Sequence, residues 1–213
     1  MIQAAVVGTS VQSEAPWLRP VTLQGSRVRL EPLSAAHHDD LVNAVRDGEL
    51  WRLWYTSVPE PSGVAAEIAR RLTLQERGSM LPFAVIDEGT GEAVGMTTFV
   101  NVDAPNRRVE IGYTWYRARV QRTALNTECK LLLLTHAFET LACIAVEFRT
   151  SSFNVRSRRA IERLGAKLDG VLRSHAVLPN GALRDTYVYS IIAAEWPAVR
   201  THLEYQLRDR PVS

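Results

Sequence analysis

The chain has 213 residues, of which 46% are hydrophobic and 23% charged, and its formal net charge at pH 7 is +2. This length and composition predict one globular domain with a continuous core. The small net charge gives no sign of a nucleic-acid partner, and no segment resembles a signal peptide or a membrane span, so we expect a cytoplasmic protein.

The first third of the chain predicts an arm, one strand and two helices. Residues 1–20 have weak periodicity and precede the predicted domain at 21–197, which a tail at 198–213 follows. Apolar residues alternate with Arg and Glu over 27–33, which predicts a strand. Amphipathic patterns then predict helices over 36–54 and 63–78.

A meander follows these helices, with strands predicted over 81–87, 93–100 and 109–116. The rest of the chain predicts helices over 127–139 and 155–164, and strands over 142–150, 167–175 and 184–192. The helix between the fourth and fifth strands is a crossover connection, so these two strands should be parallel. The order of elements indicates an α/β (α+β) fold built on a mixed sheet.

Two polar segments at the crossover are the candidates for chemistry. The loop at 119–126 leads directly into a helical pattern that starts at Thr127, and amides converging at a helix N-terminus favour a phosphate. Asn154 precedes the next helix and Ser157 lies on its first turn, so both side chains can face the same centre. The structural alternatives are that the arginines of the loop solvate a turn and that Asn126 and Asn154 are helix caps.

The segment from Trp115 to Gly165 is similar to the GNAT superfamily of acyl-coenzyme A-dependent N-acetyltransferases, together with Val-Glu-Ile-Gly-Tyr113 before it and Glu195-Trp196 after it. The branch that it most resembles contains the Rim-type ribosomal-protein N-terminal acetyltransferases. The resemblance extends from Val21 to Trp196. It implies acetyl-coenzyme A as acyl donor and a mostly antiparallel sheet of about seven strands, with helices on both faces and a splayed parallel pair at the cofactor site.

The resemblance also implies which residues contact the cofactor. They lie on a strand, in the loop and at the start of the following helix: Tyr113, Thr114, Trp115, Arg122, Thr123, Ala124, Leu125, Asn126, Thr127, Asn154 and Ser157. The run Gln121-Arg-Thr-Ala-Leu-Asn126 lacks the glycines of the family pattern. It should therefore bind phosphate in an ordinary helical-turn geometry, or bind it poorly. Ile161 matches a position where the family often has a tyrosine that protonates the departing thiolate, which leaves Ser157, a bound water or no group at all for that role.

Glu110 is the candidate general base. It alternates with Val109 and Ile111 on the strand beside the expected thioester site. In members of the family, a group on this strand often accepts the proton of the amine, commonly through a water. The alternative is a simple surface or salt-bridging carboxylate. No metal is expected, because the five histidines lack ligand spacing and the two cysteines, Cys129 and Cys143, have the apolar surroundings of buried reduced thiols.

These observations predict transfer of an acetyl group from acetyl-coenzyme A to a primary amine by direct attack in a ternary complex. A protein N-terminus and a small amine both stay open as acceptors, and the rival from another class is a non-catalytic coenzyme A-binding or interaction protein. A homodimer is also predicted, because the arm and the final segment at 196–207 carry apolar residues without an obvious place in one core. An arm folded back on its own subunit explains the same residues.

Overall fold

A computed structural model describes residues 17–208 of the chain. Its strands are β1 (Leu23–Gln24), β2 (Val28–Pro32), β3 (Met80–Asp87), β4 (Ala93–Asp103), β5 (Arg108–Tyr116), β6 (Ala145–Ser151), β7 (Lys167–Val177) and β8 (Leu183–Ile192). Its α-helices are α1 (His38–Arg46), α2 (Val64–Glu76), α3 (Ala124–Thr135), α4 (Val155–Arg163) and α5 (Trp196–Arg208). Short helical turns lie at Ala35–His37, Leu50–Arg52, Pro61–Gly63 and Ala118–Val120, and a π-helical turn over His136–Thr140 extends α3.

The described strands form one eight-stranded sheet in the order β1-β2-β3-β4-β5-β6-β8-β7. Every neighbouring pair is antiparallel except β5 and β6, which are parallel. The predicted fold class and the parallel crossover are therefore confirmed. The strand missing from the prediction is β1, whose two residues are too few for a periodic signal.

Helices cover both faces of the sheet. On one face, α3 and α5 pack on β2, β3, β5 and β6 in a core that contains Cys129, Leu133 and Leu203. On the other face, α1 and α2 contribute Leu41 and Ile68 to a smaller core against β3, β4 and β5. The apolar faces of these helices are thus buried by the sheet, as their amphipathic patterns require.

The first helix is shorter than predicted. The predicted helix spanned 36–54, but α1 ends at Arg46 and a separate turn covers Leu50–Arg52. Gly48 and Glu49 have positive φ values of 95° and 46°, which are incompatible with a continuing right-handed helix. This break lets residues 50–58 run as a loop along the edge of a cleft described below.

Part of the apolar surface that suggested a dimer lies in the subunit's own core. Trp17 and Leu18 pack against the larger core cluster, and α5 buries Trp196, Val199 and Leu203 there. The inference of a dimer from the apolar side chains of these residues is therefore wrong. Residues 1–16, which make up most of the predicted arm, lie outside the described part. The homodimer stays a prediction, as do the domain limits at 20 and 197.

Glu128 fastens α3 to the turn between β1 and β2. Its buried carboxylate accepts hydrogen bonds from the backbone N–H groups of Ser26 (3.1 Å), Arg27 (2.7 Å) and Val28 (3.1 Å), and from the Ser26 hydroxyl (2.7 Å). Gly25 allows this approach, since a Cβ there would lie 2.9 Å from the carboxylate carbon. A single carboxylate thus satisfies three amides that have no sheet partner in the turn.

We predict that Glu128→Gln lowers the free energy of unfolding by about 2 to 3 kcal/mol, because a neutral amide cannot accept so many charge-assisted bonds and leaves buried donors unpaired. Urea denaturation measures the change. Glu76→Gln, at an exposed position on α2, is the matched control and should change stability by less than about 0.5 kcal/mol. Equal stability of the two variants would show that the Glu128 contacts add nothing.

Candidate active site

The parallel pairing of β5 and β6 is short, and the two strands then separate. The register covers Arg108↔Ala145, Val109↔Val146 and Glu110↔Glu147 only, although β5 continues to Tyr116 and β6 to Ser151. Beyond Glu110, the backbone groups of β5 that face β6 have no strand partner. Buried backbone groups need hydrogen bonds, so this gap is a place where an extended polar ligand can bind.

A bulge on β5 turns the strand away from β6. Between the pairs Thr98↔Gly112 and Met96↔Trp115, β5 has one residue more than β4, and Tyr113 within this bulge has φ 48°. A β-bulge bends its strand and increases the local twist. Gly95 on β4 accommodates the bend, since a Cβ there would overlap the carbonyl oxygen of Trp115.

The separated strands enclose a cleft with a volume of ≈ 780 Å³, which we name the splay cleft. Its walls come from β5, β6, the starts of α3 and α4, the loop at 50–58 and the hairpin of β7 and β8. The polar side chains that line it include Asn101, Glu110, Thr114, Gln121, Arg122, Asn126, Lys130, Arg149, Asn154, Ser157, His175, Arg184 and Thr186. Most of the predicted site residues therefore share one cleft, and their functional roles remain predictions.

The loop before α3 differs from the prediction in two respects. Helix α3 begins at Ala124, three residues before the predicted Thr127, because Thr123 is the N-cap and its hydroxyl accepts from the Leu125 N–H (3.3 Å). Arg122 has φ 63°, so the expectation of an ordinary helical-turn geometry is wrong at this residue despite the missing glycines. The amides from Thr123 to Asn126 are the first four of the helix and have no carbonyl acceptor within it, and the Leu125 N–H among them is used by the cap.

The side chains of this segment are placed unequally. Arg122 and Asn126 line the splay cleft, and Asn126 lies inside the helix, which excludes the alternative that it is the cap. Leu125 is buried in the core, and its side chain is not part of the cleft lining. Thr127 is also buried and its hydroxyl accepts from Arg163 (3.4 Å), so this residue joins α3 to α4 and is not part of the cleft lining.

Glu110 is buried at the point where the strands separate. Its carboxylate accepts from the Asn101 amide (2.6 Å), and its Oε2 lies 3.4 Å from Nε of Arg149. Burial raises the pKa of Glu110 above its ordinary value, against the opposite effects of Arg149 and Asn101. Glu110 is therefore not an exposed surface carboxylate, whereas the alternative of a salt-bridging carboxylate fits its ion pair with Arg149. A buried carboxylate with a raised pKa also has the properties of a proton acceptor, and this role stays a prediction.

Asn154 and Ser157 are coupled at the start of α4. Asn154 is the N-cap of this helix, and its Oδ1 accepts from the Ser157 N–H (3.0 Å). Both side chains also line the splay cleft. The cap therefore uses only the oxygen of Asn154, and the side-chain nitrogen of Asn154 and the hydroxyl of Ser157 remain available for a ligand. Ile161 lies one turn further along α4, where it is buried and lines the same cleft.

Two buried cations near the bulge were missed in the sequence. Arg71 on α2 is 1% exposed and donates to Glu67 (2.7 Å), the Thr98 hydroxyl (2.7 Å) and the carbonyl of Tyr113 (3.1 Å). It therefore fastens α2 to the bulge. Only its position four residues after Glu67, a spacing that places both on one helix face, signals this role.

Lys130 is the second missed cation. It is buried on α3, and its Nζ donates to the hydroxyls of Thr114 (3.0 Å) and Thr97 (3.5 Å), with no carboxylate within ion-pair distance among residues 17–208. Burial lowers the pKa of Lys130 below its ordinary value. No group of three or more possible metal ligands of the His, Cys, Asp or Glu type occurs within these residues. No helix in the described part is long and apolar enough to cross a membrane.

Comparison with known proteins gives a consistent result. Residues 27–167 match the family model described as "Acetyltransferase (GNAT) domain". YdaF of Bacillus subtilis strain 168, named as a candidate ribosomal N-acetyltransferase, is 33% identical over 106 residues, which cover 50% of this chain and 57% of YdaF. The match thus spans little more than half of that relative.

Two solved structures extend the similarity to nearly the whole chain. A candidate acetyltransferase from T. thermophilus is 34% identical, with a TM-score of 0.78 and coverage of 90% of this chain and 99% of the other. RimJ of Mycobacterium smegmatis, solved in complex with CoA-disulfide, is 20% identical, with a TM-score of 0.75 and coverage of 88% and 95%. At this identity, RimJ demonstrates the shared fold alone.

We predict that Lys130→Met raises the free energy of unfolding at pH 7 by about 1 kcal/mol or more, because it replaces a desolvated ammonium that has no ionic partner. A lowered pKa means that the buried ammonium destabilises the wild type below this pKa, and that the cost disappears as pH rises towards 10.5, the ordinary value. Urea denaturation at pH 7 and at pH 10 should therefore show a smaller difference at pH 10. A variant less stable than wild type at both pH values would contradict this.

Proposed function

Because the chain belongs to the GNAT acetyltransferase family, we propose that it transfers an acetyl group from acetyl-coenzyme A to a primary amine by direct attack in a ternary complex. The observation that carries this proposal is the early separation of β5 and β6 beside the start of α3, with the buried Glu110 at the point of separation. This arrangement supports an anion site at the start of α3, a slot between the separated strands and a proton acceptor where the strands meet.

The lining of the splay cleft fits the donor. Its described residues include seven Arg or Lys and a single carboxylate, Glu110, which suits a ligand with several phosphates. Arg122 and the first amides of α3 are the candidates for the pyrophosphate, and Arg156 and Arg159 on α4 are available to a further phosphate. The unpaired backbone of β5 past Glu110 suits the amides of the pantetheine arm.

The donor supplies an activated acetyl group as a thioester. Glu110 accepts the proton of the attacking amine, directly or through a water, and its raised pKa makes it a stronger base than an exposed glutamate. Backbone N–H groups at the β5 bulge can donate to the thioester carbonyl. Ser157 is the polar side chain on α4 available to the departing thiolate, since Ile161 has no proton to give.

Direct attack is supported by the state of the two cysteines. Burial raises the pKa of Cys129, whose Sγ accepts from the Tyr116 hydroxyl (3.2 Å), and raises the pKa of Cys143 to about 11. Thiols with raised pKa values are poor nucleophiles at neutral pH. Neither cysteine is therefore suited to carry the acetyl group as a covalent intermediate.

Two kinds of acceptor fit this chemistry, a protein N-terminus and a small amine. The name of YdaF, a candidate ribosomal N-acetyltransferase, favours a protein acceptor over a small amine. An α-amine also has a lower pKa than a lysine amine, so it needs less help from Glu110. We therefore place a protein N-terminus first.

The experiment combines binding and turnover. Calorimetry should show acetyl-coenzyme A binding, and release of free thiol should depend on an added amine from a panel of short peptides, amino acids and polyamines. Glu110→Gln should lower kcat by about 100-fold and remove the acid limb that Glu110 gives to the pH profile, with little change in acetyl-coenzyme A affinity.

Glu76→Gln is the control for the loss of one carboxylate and should keep full activity. The Glu110→Gln variant should also unfold no more easily than wild type at pH 7.5, because burying a charged carboxylate is costly. Binding of acetyl-coenzyme A without thiol release for any amine would favour a non-catalytic coenzyme A-binding protein. No binding at millimolar concentration would overturn the assignment of the cleft.

A further inference from the structure

Arg184 is a cation in the splay cleft without a partner. It lies on β8, its Nε is buried without a hydrogen-bond acceptor, and its guanidinium makes no hydrogen bond or ion pair with residues 17–208. The other arginines at this end of the cleft are paired: Arg71 with Glu67, and Arg149 with Glu147 (2.9 Å) and Glu110. A buried donor without an acceptor is costly, which indicates that a ligand supplies the missing acceptor.

Arg184 lies on the same face of the sheet as Glu110. Val109 and Ile111 pack in the core with α3, so Glu110 between them faces the opposite side. Arg184 and Val188 share one face of β8, and Val188 is the register partner of Arg149, which contacts Glu110. Electrostatic attraction between Arg184 and Glu110 is consistent with this placement.

Glu110 does not neutralise this end of the cleft. Its carboxylate already accepts from Asn101 and lies 3.4 Å from Arg149. Glu147 pairs with Arg149 and with Arg108, so two carboxylates face the three guanidinium groups of Arg108, Arg149 and Arg184. His175 on β7 also lines the cleft there, with Nδ1 3.1 Å from the Thr186 hydroxyl. We name the group Asn101, Glu110, Arg149 and Arg184 the acceptor end. The acceptor end therefore carries an excess positive charge, which one negative charge of a ligand would balance.

We propose that the acceptor is a primary amine that carries a carboxylate, and that Arg184 binds this carboxylate while the amine lies next to Glu110. The inference rests on the proposed acetyl transfer and names its substrate class. Arg122, Arg156 and Arg159 belong to the loop and α4, at the entrance proposed for the phosphates, so Arg184 is available to the acceptor. An arginine binds a carboxylate through two parallel hydrogen bonds, which gives both affinity and orientation.

Two kinds of acceptor carry a carboxylate near a primary amine: a small amino acid, and a peptide N-terminus with an acidic residue near it. We test each with a pair of amines of nearly equal basicity: 4-aminobutyrate against 4-aminobutyramide, and the amidated peptides Ser-Glu-Ala-Gly and Ser-Gln-Ala-Gly. In at least one pair, acetylation of the amine that carries the carboxylate should have a kcat/KM at least about 10-fold higher than acetylation of its neutral partner. The pair that shows this preference identifies the kind of acceptor.

In Arg184→Gln, the ratio of kcat/KM between the carboxylate-bearing amine and its neutral partner should fall to about 1. This fall should come mainly from lost activity with the carboxylate-bearing amine. Arg173→Gln is the matched control, because Arg173 lies on β7 of the same hairpin, is exposed and does not line the cleft. It should keep the preference. Equal rates within both pairs, or a preference that survives in Arg184→Gln, would overturn the inference. So would a 10-fold weaker affinity of Arg184→Gln for coenzyme A, which would assign Arg184 to the donor.

Calorimetry separates this inference from the proposed transfer. The protein saturated with coenzyme A is titrated with each amine of the two pairs. Tighter binding of a carboxylate than of its amide, lost in Arg184→Gln, supports the inference even if no amine is acetylated and the transfer proposal fails. Acetylation of neutral and anionic amines at equal rates supports the transfer and rejects the role of Arg184.

Discussion

The early end of pairing between β5 and β6 is the constraint on which the rest of the site depends. Two parallel strands that pair for only three residues leave a row of backbone groups that the sheet does not satisfy. The bulge at Tyr113 bends β5 away from β6. Arg71 stabilises the bulge by donating a hydrogen bond to the Tyr113 carbonyl. The fold thus maintains an open slot between two neighbouring strands in the middle of the sheet.

The charges around this slot are arranged by the elements that end there. The crossover puts the start of α3 at the end of β5, and Asn154 caps α4 after β6, so two helix N-termini and several arginines surround the same opening. The single carboxylate of the described lining lies at the opposite end, where the strands meet. An anionic donor and a proton acceptor are therefore separated along one cleft, which is the order that acyl transfer to an amine requires.

The sequence was sufficient for the parts of the fold that follow from periodicity and chain direction. The parallel crossover, the meander of β3, β4 and β5, and the end of α4 at Gly165 with its φ of 98° follow from such signals. The start of α3 was misplaced because Thr123 and Asn126 are both good caps, and the sequence does not show that the Thr123 hydroxyl accepts from the Leu125 N–H (3.3 Å). Arg71, Lys130 and Arg184 were missed because an isolated cation on a helix or strand has the same pattern whether it faces solvent or a cleft.

Hydrogen exchange tests most directly whether the separation of β5 and β6 is the donor site. Addition of coenzyme A should slow amide exchange in residues 111–116, 122–126 and 148–151, and should leave β2 and β3, at the other side of the sheet, nearly unchanged. This pattern would place the ligand between the separated strands and against the start of α3. Protection confined to other segments, or spread evenly over the whole sheet, would contradict it.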